Sequence, residues 1–178
     1  LHDFNRQVFL TIAVNIVSVE VVLYFMIQRP RGTLDLLHMD NPLRGFVESA
    51  AISVAELYGY TRIDTPTFES FDLFARTIGD TTDIVQKEMY TFEDKSGGML
   101  TLRAEGTAPV CRAFIEHGLH NRSLPLRFYY ICPVFRYERP QSGRYREHHQ
   151  FGIELIGGQG PESDAEVISV AWDLIQKL

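Results

Sequence analysis

Two runs rich in β-branched and aromatic residues, RFYYICPVFRYE (127–138) and HHQFGIELI (148–156), flank a basic connector, RPQSGRYRE (139–147). That pattern predicts an antiparallel hairpin. A hairpin fixes which side chains can meet, because successive residues of a strand point to opposite faces. On the first strand Arg136 and Glu138 share a face. On the return strand His148, Gln150, Gly152 and Glu154 share one face, and His149, Phe151, Ile153 and Leu155 take the other. The second set is mostly apolar and is expected on the core. A sheet face carrying Arg, Glu, His, Gln and Glu needs a ligand or water to satisfy it. Gly152 leaves space there for a ligand to approach the backbone.

Charge sharpens this reading. From Arg127 to Gln150 there are five arginines and two glutamates, a net of +3, in a chain whose total is −6. A globally basic nucleic-acid coat is excluded. A basic patch in an acidic chain suits an anion such as a phosphate chain, and arginine's planar fork donates bidentately to one. The plain alternative is a solvated charged hairpin. At 178 residues there is room for one domain. With 45% hydrophobic and 22% charged residues, disordered, collagen-like and coiled-coil classes are out. Cys111 and Cys132 form no C-x-x-C pair, which excludes a disulfide scaffold or zinc knuckle and fits a reducing compartment. Both are expected as buried small apolar residues. His117 and His120 lack a third ligand in sequence, and His148 and His149 point to opposite faces, so no metal site is expected. Neither G-x-G-x-x-G nor G-x-x-x-x-G-K-[ST] occurs, so a bound nucleotide is not held by those loops.

Elsewhere, Arg29 to Asp40 reads as a loop and Pro42 to Tyr58 as a helix. Its apolar stripe is Phe46, Val47, Ala50, Val54 and Leu57, and Gly59 stops it. TRIDTPTFES is extended, with Pro66 marking an edge or interface strand. Residues 71 to 87 are mixed and polar, with GDTTD as a turn; EMYTFEDKSGGMLTLR is a hairpin turning at Asp94 to Gly98. In LRAEGTAP a strand ends, Glu105 is presented, Gly106 bends the chain and Thr107 caps a helix running from Ala108 to about His117. A carboxylate beside a hydroxyl can hold an ammonium group. Ser163-Asp164-Ala165-Glu166 is a capping-box pattern opening a last helix, with Val167, Val170, Ala171 and Leu174 on one face. The expected class is α+β, an antiparallel sheet with flanking helices, here on one face. The apolar run Val8 to Ile27 has the length of a membrane span. Three readings stay open for it: a membrane helix, an extension packed on the domain or a partner, and sequence unrelated to the fold. No small-residue cleavage site follows it, which argues against a signal peptide. Leu1 is not Met, and Leu178 closes a helical pattern, so a piece of a longer protein is expected.

FRYERPQSGRYREHHQFGIE (135–154) closely resembles motif 2 of the class II aminoacyl-tRNA synthetases, in the form found in histidyl-tRNA synthetases. RPRGTLDLL, TTDIVQKEMYTF, TLRAEGTAP and GPESDAEVI look like the same family, in the same order, and residues 42 to 69 resemble motif 1, the dimer-forming element. The resemblance starts at about Arg29. It implies a division into residues 1–28, an apolar extension of unknown role, and 29–178, a partial class II catalytic domain with motifs 1 and 2 but neither motif 3 nor the anticodon-binding domain. It implies ATP-dependent activation of L-histidine to histidyl-adenylate and transfer to tRNA(His), by a cytoplasmic homodimer joined through motif 1. This chain alone is expected not to charge tRNA. Arg136 would be the catalytic residue, binding the α-phosphate and the histidine carboxylate. Glu105, Gly106, Thr107 and Gln150 would surround the α-ammonium, and Glu154 would pair with the imidazole. Glu138, Arg144, Tyr145 and His148 would join Arg136 around ATP, which Mg²⁺ would accompany. Two positions depart from the family pattern: Ala104 stands where a proline is usual, and His148 where an aromatic phenylalanine stacks on adenine. The competing reading is the synthetase-like, non-catalytic regulatory subunit of ATP phosphoribosyltransferase. That relative tends to lose the charges that this chain keeps.

Overall fold

The computed structural model describes residues 28–78, 88–137 and 143–178. In chain order the elements are α1 (Asn41–Leu57), β1 (Thr61–Arg62), β2 (Phe68–Ser70), α2 (Phe71–Ile78), β3 (Thr91–Glu93), β4 (Met99–Leu102), α3 (Thr107–Glu116), a 3₁₀ turn (Leu119–Asn121), β5 (Leu126–Phe135), β6 (Glu147–Ile156) and α4 (Pro161–Lys177). The predicted hairpin is there: β5 and β6 pair antiparallel from Leu126 opposite Ile156 to Phe135 opposite Glu147. β1 adds to the free edge of β5 in parallel, giving the order β1-β5-β6. The turn at Asp94 to Gly98 joins β3 to β4, and β2 completes a second antiparallel sheet, β2-β4-β3. Asp94 holds that turn by accepting from the amides of Ser96 and Gly98 at 2.8 and 2.9 Å. Residues 1–27, 79–87 (with the GDTTD turn) and 138–142 (with Glu138) lie outside the described residues.

The class is α+β as expected, but helices cover both faces of the long hairpin. Tyr129, Phe151 and Ile153 pack with Val54, Ala55 and Tyr60 from α1 and its exit, and with Val170 of α4. On the other face Tyr130, Cys132 and Val134 pack against Val110 of α3. A third cluster joins Phe74 of α2 to Ala104 and Ala108.

Local readings change where tertiary packing decides. α1 has Pro42 in its first turn and closes as predicted at Gly59, with φ +79°. The amides of Gly59 and Tyr60 donate to Glu56 and Ala55, a Schellman closure. Its buried face, however, is Ala50, Ala51, Val54 and Ala55, while Phe46 and Leu57 are 51% and 79% exposed. Small residues let the helix seat closely on the sheet, and that turns the bulkier part of the predicted stripe outward. Residues 71–78, read as mixed and polar, form α2, anchored by the fully buried Phe74. The capping box does not open α4: the helix starts at Pro161 after Gly160. Ser163 Oγ donates to the Gln159 carbonyl at 3.4 Å. Glu166 instead accepts both Nε and Nη2 of Arg127 at 2.7 Å, and the Tyr60 hydroxyl at 3.1 Å.

Arg103 joins the two sheets. It is 4% exposed, and its guanidinium donates to the carbonyls of Pro133 (2.7 Å), Thr65 (2.8 Å) and Pro66 (3.2 Å). A buried cation is tolerated when its donors are satisfied this way. The Phe135 amide donates to the Arg103 carbonyl at 2.9 Å. The segment after β4 is thereby laid across the end of β5. Among the described residues no helix is long and apolar enough to cross a membrane.

Candidate active site

Because β5 and β6 pair in register, Phe128, Tyr130 and Cys132 lie directly opposite Glu154, Gly152 and Gln150 and share their face. The Arg103–Pro133 tie brings residues 104–108 against this face. The Glu105 carboxylate accepts the amides of Thr107 and Ala108 at 2.9 and 2.7 Å. Glu105 is therefore the capping side chain of α3. Thr107, expected as the cap, is the first residue of the helix. Its hydroxyl donates across to Glu154 Oε1 at 2.8 Å. The Tyr130 hydroxyl donates to the same oxygen at 3.2 Å. Arg136 Nε donates to the Ala104 carbonyl at 2.9 Å, which fixes the plane of its guanidinium beside Glu105.

Gly152 has a different use from the one expected. A Cβ on it would sit 2.2 Å from Tyr130 Cζ, and a Cβ on Gly106 would sit 2.2 Å from Tyr130 Cε2. Both glycines make room for the ring of Tyr130.

Glu105 and Glu154 are half-buried carboxylates, and neither has an ion-pair partner among the described residues. Burial pushes the Glu154 carboxyl above its usual range, against the pull of its two hydroxyl donors, and Glu105 adds to the rise. Burial also raises the Cys111 thiol, with Glu154 and Glu105 contributing. Gln150 Oε1 is buried and has no hydrogen-bond partner among the described residues. An orphaned buried acceptor costs about 1–3 kcal/mol unless a donor reaches it.

Glu105, Gly106, Thr107, Arg136, Gln150 and Glu154 are thus gathered where the start of α3 meets the hairpin. Arg144, Tyr145 and His148 are exposed, and His148, opposite Val134, keeps the strand face of Gln150 and Glu154. Arg144 and Tyr145 line an open cavity of about 690 Å³ with Arg29, Arg31 and Asp35. Tyr145 and His148 border a cavity of about 390 Å³ on the α1 side, with Arg44, Val47 and Phe151. His149 is on that side too, where burial first and then Arg44 lower its pKa. Among the described residues no group of three His, Cys, Asp or Glu side chains could hold a metal ion. His117 ends α3 and His120 sits in the 3₁₀ turn, in edge contact with Phe114. Cys132 is buried as expected, and Cys111 only half so. Sequence reasoning did not single out Tyr130, which is both core and hydrogen-bonded to Glu154. The available signal was parity: counting back in twos from Arg136 reaches it.

A family model described as histidyl-tRNA synthetase matches residues 32–178. A curated relative from Dehalococcoides mccartyi, a histidine–tRNA ligase, is 56% identical over 153 residues, which are 86% of this chain and 37% of the relative. The solved apo histidyl-tRNA synthetase of S. aureus is 41% identical with a TM-score of 0.72, over 85% of this chain and 34% of that one. A Bacillus halodurans structure described as an ATP phosphoribosyltransferase regulatory subunit/histidyl-tRNA synthetase is 30% identical with a TM-score of 0.73, over 86% of this chain and 38% of that one. The chain therefore spans little more than a third of the length of these relatives.

Proposed function

The chain belongs to the histidyl-tRNA synthetase family, and from that premise we propose that it supplies the amino-acid and part of the ATP site of an enzyme that activates L-histidine and charges tRNA(His). The observation that carries this reading is the orphaned Gln150 Oε1, on the strand face that it shares with Glu154. An α-ammonium group supplies the missing donor, and the nearby Glu105 carboxylate favours its positive charge. Further along the same face, Glu154 Oε2 accepts a ring N–H. An apolar amino acid would leave that carboxylate buried without a donor, so the site discriminates strongly.

In the reaction a histidine carboxylate oxygen attacks the α-phosphorus of ATP and pyrophosphate leaves. The 3′ end of the tRNA then takes the histidyl group and AMP leaves. No general acid or base is needed in the first step, and positioning and charge stabilisation carry it. Arg136, held by the Ala104 carbonyl through one of its five N–H groups, has the geometry to bridge the histidine carboxylate and the α-phosphate. Glu138, Arg144, Tyr145 and His148 complete the ATP site as part of this proposal. Mg²⁺ would ride on the ATP phosphates, and no step here is assigned to it.

Two features of the whole protein belong to the same proposal. Leu43 and Phe46 of α1, 71% and 51% exposed, supply an apolar face for a second copy. tRNA charging places the protein in the cytoplasm.

The test is pyrophosphate exchange in the full-length protein that carries this chain. Arg136→Lys is expected to lower the rate about ten-fold or more, since lysine keeps the charge and loses the fork. Glu154→Ala is expected to raise the histidine KM far more than the ATP KM. Histidine binding with no ATP-dependent exchange would favour the regulatory-subunit reading. Unchanged exchange in Arg136→Lys would remove that residue from the site.

A further inference from the structure

Glu154 is where the proposed substrate ring ends, and its two oxygens are not equivalent. Oε1 accepts both the Thr107 hydroxyl at 2.8 Å and the Tyr130 hydroxyl at 3.2 Å. A carboxylate oxygen that accepts two donors has both lone pairs engaged. The ring N–H is therefore left with Oε2, in a plane fixed by the other two bonds. Tyr130 is held more firmly than Thr107. Its ring is 4% exposed and packs with Val110, Cys132 and Val134. It also threads between Gly106 and Gly152, where a single added Cβ on either would overlap it. Glycines on two different elements, one before α3 and one in β6, are both without side chains at the place where this phenol reaches Glu154.

The geometry points to Tyr130 as the positioning residue for histidine specificity: it orients the Glu154 carboxylate so that Oε2 meets the imidazole, and it does so without touching ATP. This rests on the histidine-site reading above and deepens it. The role is distinct from packing, because the ring supplies most of the bulk between the glycines and only the hydroxyl donates to Glu154.

Tyr130→Phe separates the two. The variant keeps the ring and loses the donor. In pyrophosphate exchange by the full-length protein, its histidine KM is expected to rise about ten-fold, as for one lost hydrogen bond to a charged group. Its ATP KM should stay at the wild-type value. In a Glu154→Ala background the same change should add less than about two-fold, since the oxygen it orients is gone. An unchanged histidine KM in Tyr130→Phe overturns the inference. So does an equal rise in both KM values, which marks a structural role, or a full ten-fold loss that persists in the Glu154→Ala background. A wild type with no histidine-dependent exchange overturns the functional reading itself, and this inference with it. A wild type that exchanges while Tyr130→Phe matches it overturns the inference alone.

Discussion

Gly106 and Gly152 both leave room for the side chain of Tyr130, and that makes them sensitive to substitution. Gly152→Ala would put a Cβ 2.2 Å from the ring and 2.3 Å from its hydroxyl, so the phenol must move off Glu154. Overpacking of this kind costs about 1–3 kcal/mol. We predict a loss of that size in denaturant unfolding, together with weaker histidine binding; unaltered stability would mean that the ring yields at no cost. Glu154 itself is destabilising when charged, because it is half-buried. Its folded pKa lies above the usual 4.5 because of burial. Below the unfolded value the carboxyl is protonated in both states and its contribution is fully present. As pH rises through the folded value, the native state must carry a buried charge and that contribution is lost. Glu154→Gln removes the charge and keeps an acceptor for both hydroxyls. At pH 7 it is expected to raise the melting temperature by about 2–4 °C, the shift that ~1 kcal/mol gives in a domain of this size. The gain should shrink toward pH 4, while histidine binding weakens at pH 7. A variant that melts lower than the wild type at pH 7 would contradict this.

Among the elements, α4 is tied to the sheet by one bidentate pair. Arg127 and Glu166 meet at 2.7 Å through both nitrogens, with side chains 30% and 22% exposed. Arg127 holds the Glu166 carboxyl below its usual range. A lowered carboxyl contributes stability above its unfolded pKa and loses it as pH falls through the folded one. Solvent screens the pair in part, so Glu166→Gln is expected to cost about 1 kcal/mol at pH 7. In urea titrations the difference from wild type should begin to shrink as pH falls below the ordinary carboxyl value of 4.5 and be lost once pH passes the lower folded value. A cost that persists in acid would point to packing. The same helix shows what a sequence conceals. Ser163 to Glu166 has the letters of a capping box, but Glu166 is drawn 39 residues back to Arg127, and no local pattern reports that. α3 repeats the lesson. Its cap is Glu105, two positions earlier than the hydroxyl that fits the usual pattern, because Thr107 is drawn across to β6. What was legible depends on short-range rules. The period-two alternation gave β5 and β6, the Asp-Gly turn gave β3 and β4, and Gly59 gave the end of α1. The faces that helices bury, and the partner of Tyr130, depend on how elements 20 or more residues apart approach each other. One strand's parity cannot supply that.

For the molecule as a whole, the family model matches from residue 32 onward, after the apolar run that ends at Ile27. Removing residues 1–28 is therefore expected to leave the calorimetric melting temperature unchanged to within about 1–2 °C. A broadened or lost transition would place that run in the fold. The hydrogen bonds of the candidate site also have short spans along the chain: 24 residues from Tyr130 to Glu154, 32 from Ala104 to Arg136 and 47 from Thr107 to Glu154. Those that fasten α4 to the segment after α1 span 106 and 115. Each doubling of a closed loop costs only about 0.6 kcal/mol, so the difference in chain entropy is small. The order of synthesis matters more, because a chain folds as it is made, from its N-terminus. Once Ile156 has left the ribosome, every partner in the Glu154 constellation has been made. The closing contacts of α4 wait until Glu166 and Asp173 follow. In the life of each new molecule, the partners of Glu154 described above are all made before the helix that steadies the sheet behind them.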